Sequence, residues 1–157
     1  MKSLLPVLTV CGPSRLPLRL FEAGWTGAQR ILRNQADDDA IRLAQWHVPH
    51  LLSLVQVDAA EWDSFRLVET VHVLKAFALV STDLQDGHVS VLMHPLVHTW
   101  ARDRQDSQGQ HDSWLKMGCL VAISSSNGDF WRTHIRQLQA HTEAVTSWEM
   151  GSFSEKV

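Results

Sequence analysis

Cysteine is scarce in this chain. Cys11 and Cys119 stand far apart and form no CxxC pair. This excludes a zinc ribbon and a dithiol redox motif, and makes a reducing, cytoplasmic compartment the default expectation. No stretch approaches the ~20 consecutive apolar residues that span a bilayer, so no membrane partner is expected. Lys2 followed by "LLPVLTVC" has the outline of a signal peptide, but Pro6 interrupts the run and no small-x-small cleavage site follows; a buried first helix is favoured. None of the four lysines follows a glycine, so no GxxxxGK[ST] loop exists and a self-contained P-loop nucleotide site is excluded. GxGxxG, HExxH and GxSxG are also missing, and no nucleophile is accompanied by a base. The reading is non-catalytic. Positive charge is not in excess either: 14 Lys+Arg stand against 17 Asp+Glu. Such a balance offers no general field for a nucleic-acid backbone.

What is present suits a globular protein. The chain has 157 residues, 45% of them apolar and 20% charged, enough for one ordinary domain or a small domain with an appended element. The apolar run over 3–10 ends at Gly12-Pro13 and predicts a short buried helix. "SRLPLRLFEAGW" predicts a second short helix, with Pro17 near its start and Gly24 at its stop. Asp37, Asp38 and Asp39 suit the start of a helix through Ile41 and Leu43, which Pro49 then breaks. Between 63 and 77, Leu67, Val68, Val71, Leu74 and Phe77 recur at the three-and-four spacing of one buried helical face. "ALVSTDL" and "HVSVLM" then read as two strands around a tight Asp86-Gly87 turn.

Pro95 opens the next helix, predicted to bury Leu96, Val97 and Trp100 and to expose Arg102, Asp103 and Arg104. "QDSQGQHD" reads as a polar loop. "SWLKMGCLVAI" and "FWRTHIRQLQAHTEAVTSW" read as an antiparallel helical pair separated by "SSSNGD", with Asp129 as the N-cap and "GSFSEKV" as a frayed tail. The expected fold is therefore mainly α with one β-hairpin.

His94 and His98 have the i,i+4 spacing that can place two imidazoles on one metal. Pro95 argues against this. It makes His94 a cap residue outside the regular helix, so the two rings need not share a face. His72, His88 and the His47/His50 pair are the other candidate ligands in space, but none has convincing spacing. The favoured reading makes His98 a surface or partly buried residue. His94 has two readings that the sequence leaves open: it caps its own helix, or it helps the helix N-terminus hold an anion.

The element order and the words "HPLVHTWARDR" resemble the winged-helix module of NB-ARC-type STAND ATPases, and most of all that of fungal receptors in which tetratricopeptide repeats follow the module. "LPLRLFEAGW" is similar to the module's second helix, and "FWRTHIRQLQAHTEAVTSW" to the lead into the repeats. The resemblance covers roughly residues 3–148, and its specific part is the His-x-Leu-Val-x-x-Trp-Ala-Arg-Asp-Arg stretch. It implies a winged-helix domain over 1–105 and a helical, tetratricopeptide-like segment over 106–157. It also implies that His94, at the position of the family's Met-His-Asp histidine, contacts the phosphate of ADP in a full receptor. Pro95 replaces the family's aspartate, and the P-loop domain is missing, so the chain reads as a fragment of a longer receptor or a stand-alone remnant. Alone it is expected to carry no cofactor; ADP or ATP would belong to the parent receptor. The implied partners are a nucleotide-binding domain and helical-repeat surfaces. The alternative function is a DNA-binding winged helix. Against it, residues 63–80 offer only Arg66 and Lys75 beside Asp63 and Glu69, and the hairpin tip "DLQDGH" is acidic.

Overall fold

The computed structural model describes residues 4–11, 14–36, 38–85 and 87–148. The Gly12-Pro13 breaker, Asp37, the turn residue Asp86 and the frayed-tail reading lie outside the described residues. The chain is mainly helical, with a small antiparallel sheet. Its elements are α1 (Leu4–Leu8), β1 (Leu16–Pro17), α2 (Arg19–Arg33), α3 (Asp39–His47), α4 (Phe65–Ala76), β2 (Val80–Gln85), β3 (His88–Met93), α5 (Pro95–Asp103), α6 (Ser107–Ser124) and α7 (Gly128–Thr146). Two 3-10 turns, Val48–His50 and Ser53–Val55, join α3 to α4.

The predicted hairpin is present. β2 pairs with β3 from Val80↔Met93 to Gln85↔His88, and Gly87 adopts φ 76°, which an L-residue rarely tolerates. A third strand joins it that the sequence reading did not expect. Leu16 and Pro17 pair with Val91 and Ser90, giving the order β1-β3-β2. Pro17 therefore lies in an edge strand, where its missing N–H does little harm, just two residues before α2 begins. Ala78, between α4 and β2, is held at φ 54°. There the Leu79 N–H donates to Leu74 O and the Ala78 N–H to Lys75 O, a left-handed helix stop usually filled by glycine.

Gly24 does not end α2. The helix continues to Arg33, and the buried small residues Ala23, Gly24, Gly27 and Ala28 form the stripe on which α6 lies. A Cβ on Gly24 would sit 2.5 Å from Leu120 Cδ1, and one on Gly27 only 2.2 Å from the backbone oxygen of Ile123. The glycines are there for close approach. Asp38 caps α3 as expected, accepting from the Ala40 N–H, and α3 ends just before Pro49. On α4, Leu67, Val71 and Leu74 are buried, whereas Val68 and Phe77 face solvent. The buried helical face is thus narrower than the spacing suggested.

The "QDSQGQHD" stretch is not a loop. Asp106 accepts from the Gly109 N–H, and α6 begins at Ser107. Gln105 joins three helices: its amide donates to Thr9 Oγ1 (3.0 Å) and Ala101 O, while its oxygen accepts from Ser113 Oγ (2.7 Å). The cap of α7 is Asn127, which accepts from the Phe130 N–H; Asp129 lies in the first turn. α6 and α7 run antiparallel, tied by Trp114 Nε1 donating to Val145 O near one end and Trp131 Nε1 donating to Ser124 Oγ near the other. One hydrophobic core crosses the 105/106 boundary: Met117, Leu120 and Ile123 of α6 share it with Leu20, Phe21, Leu67 and Val91.

α7 also packs on the lead into β1. His141 is fully buried, with Nε2 3.0 Å from Arg15 O and Nδ1 unpartnered among the described residues. Burial pushes its pKa below the ordinary 6.5, against a smaller upward effect of the hydrogen bond. The folded chain therefore resists a proton that the unfolded chain accepts, so this residue's stabilising contribution is lost as the pH falls below about 6.5. Denaturant titrations between neutral and mildly acidic pH should show this slope, and His141→Gln should flatten it. An unchanged slope contradicts the assignment. Urea unfolding should also show Gly27→Ala losing about 2 kcal/mol to overpacking, and Ala78→Gly gaining about 1 kcal/mol by relieving the left-handed strain.

Candidate functional site

The site begins where β3 hands the chain to α5. The pairing of Met93 with Val80 fixes the end of the strand. His94 keeps an extended backbone, φ -63° and ψ 137°, because the following proline disfavours a helical conformation there. Pro95 then starts the helix with its φ already set. His94 is the N-cap: its Nδ1 accepts the Leu96 N–H at 3.2 Å, and its backbone oxygen accepts from the His98 N–H. An acceptor at Nδ1 places the neutral ring's proton on Nε2. The ring is exposed, and among the described residues Nε2 makes no hydrogen bond. Both readings of His94 are therefore compatible. One nitrogen caps the helix and the other offers an N–H beside the remaining free amides of α5, at the positive end of its dipole.

His98 turns the other way. Its Nε2 lies 3.2 Å from Cys11 O, in a partly buried position that ties α5 to the end of the α1 segment. The two histidines do not converge. His88 lies against His134 instead, with ring centroids 5.3 Å apart, and His47 and His50 flank Trp46. Among the described residues no group of three His, Cys, Asp or Glu is placed to hold a metal. Burial pushes the Cys11 thiol up to about 12 and the Cys119 thiol to about 11. Both stay protonated near neutral pH, so neither is poised as a nucleophile.

The surroundings of His94 differ from expectation in one respect. Leu96 is 75% exposed and Trp100 48%, and of α5 only Ala101 is fully buried. Leu96 and Trp100, one helical turn apart, form an apolar ridge beside the cap, and the Arg104 guanidinium covers the Trp100 ring at 4.8 Å. This exposure is not legible from the residues alone, because α5 carries the amphipathic spacing of a helix buried on that face. Arg102, Asp103 and Arg104 are exposed as expected. No helix of the described residues is long and apolar enough to cross a membrane.

Compared with known proteins, the chain matches no family model, no curated protein and no solved structure.

The cap predicts a measurable asymmetry. His94→Ala should lower stability by about 1 kcal/mol in denaturant unfolding, the usual effect of removing an N-cap, and His94→Asn should restore most of it. Equal losses in both variants would show that the ring does something other than cap.

Proposed function

We propose that the chain is a non-catalytic regulatory and protein-interaction module of winged-helix type, in which His94 reads the phosphate of a nucleotide held by a separate P-loop domain. The observation that carries this reading is the two-sided use of the His94 ring, capped into its helix through Nδ1 and open to a ligand through Nε2. An N–H donor beside a helix N-terminus suits a phosphate oxygen but cannot replace a phosphate-cradling loop. The nucleotide must therefore be held mainly by another domain.

Two further features support the reading. Strand β1 precedes α2 and pairs with β3 in the order β1-β3-β2, which supports a winged-helix reading in which the β2–β3 hairpin would be the wing. The exposed Leu96 and Trp100 ridge gives a partner domain an apolar anchor next to His94. The α6–α7 pair, whose α7 is similar to the lead into tetratricopeptide repeats, would carry any displacement of α5 onward through Gln105. The DNA-binding alternative gains little support from α4, whose exposed side sets Arg66 among Phe65, Val68 and Glu69, and whose Lys75 donates to Thr82.

In a receptor that joins this chain to a P-loop domain, His94→Asn keeps the cap but removes the outward N–H. It should speed ADP release about tenfold, the effect of one lost charge-assisted hydrogen bond. An unchanged release rate rejects the sensor role.

A further inference from the structure

At the opposite end of β3 from His94, a cleft of about 740 Å³ opens between α7, the lead into β1 and the start of β3. Arg15, Arg132, Arg136, His88 and His134 contribute to its walls, and no carboxylate among the described residues lines it. In a chain of net charge -3, counted with neutral histidines, three guanidinium groups on one cleft are a local feature. Arg132 and Arg136 stand four residues apart on α7, a spacing at which like charges repel and weaken a helix. Two of the arginines are only partly engaged. Arg15 meets Asp83 through Nε at 2.8 Å, and Arg132 meets Asp129 through one terminal nitrogen, which leaves further N–H donors on each guanidinium. Arg136 makes no hydrogen bond or ion pair among the described residues.

The walls are not uniformly charged. Ile135 adds an apolar surface, and the tilted rings of His88 and His134 lie on one side, with His134 stacked on Phe130. The volume falls in the range of small-molecule sites and is far larger than one phosphate ion needs. Guanidinium forks match phosphate oxygens in pairs, and partly apolar walls accommodate an organic body.

We infer that this cleft is a binding site for a small organic phosphate monoester, its phosphate held by Arg136 and Arg132 with Arg15 alongside. The site is independent of His94 and of the proposed receptor function.

The test is calorimetric titration of the full chain with ribose 5-phosphate, inorganic phosphate and a phosphoserine peptide in turn. Saturable binding of ribose 5-phosphate, tighter than that of inorganic phosphate, is expected. Arg136 is exposed, so Arg136→Ala should keep the fold, checked by circular dichroism, and weaken binding about tenfold for one lost charge-assisted contact. Arg136→Lys should retain part of the affinity. Absence of saturable ribose 5-phosphate binding overturns the proposal, as does affinity unchanged in Arg136→Ala. Binding of the phosphopeptide alone would overturn the small-ligand assignment.

Discussion

The contact between α2 and α6 constrains everything else in this structure. Glycines at 24 and 27 bring the two helices close enough for Leu120 to occupy the space of one missing side chain and the Ile123 carbonyl that of the other. Arg30 extends the seam by donating to Ser126 O at 2.6 Å. Once α6 is fixed there, Met117, Leu120 and Ile123 enter the core that α1, α4 and the sheet also share. Such a core tolerates little change in volume. The position of α5, and with it His94, follows from this arrangement, because α5 is held between β3 and α6 by strand pairing and by Gln105.

The local signals in the sequence were largely faithful. The β2–β3 hairpin, the Asp38 cap and the opening of α5 at Pro95 each depend on residues within a few positions of one another, and they appear as read. The misreadings arise where distant segments decide. Gly24 looks like a helix stop until α6 is placed against it. The two-residue strand β1 is too short to show a period and exists only because β3 offers an edge. The polar run 105–112 looked like a loop because its helix start is hydrophilic on most sides, yet Gln105 and Ser113 make hydrogen bonds that only the folded chain supplies.

The candidate site was legible to a similar degree. His94 as a helix cap follows from Met-His-Pro alone, through the backbone restrictions that proline imposes on its neighbour. The tautomer, the open Nε2 and the exposed Leu96–Trp100 ridge required the structure. The arginine cleft is not legible in the sequence, since Arg15 and His88 join Arg132 and Arg136 from far away in the chain. The two proposed sites lie on the rim of the same small sheet, one at each end of β3. A rigid sheet is a suitable frame for two sites whose geometry must be kept.

One core, closed by α6 across the 105/106 boundary, holds His94 in place. Truncating the chain after Gln105 and recording its amide NMR spectrum tests this most directly. Collapsed dispersion, with the β2–β3 resonances lost, is the predicted result. A well-dispersed spectrum in which β3 and α5 keep their full-length positions would contradict it.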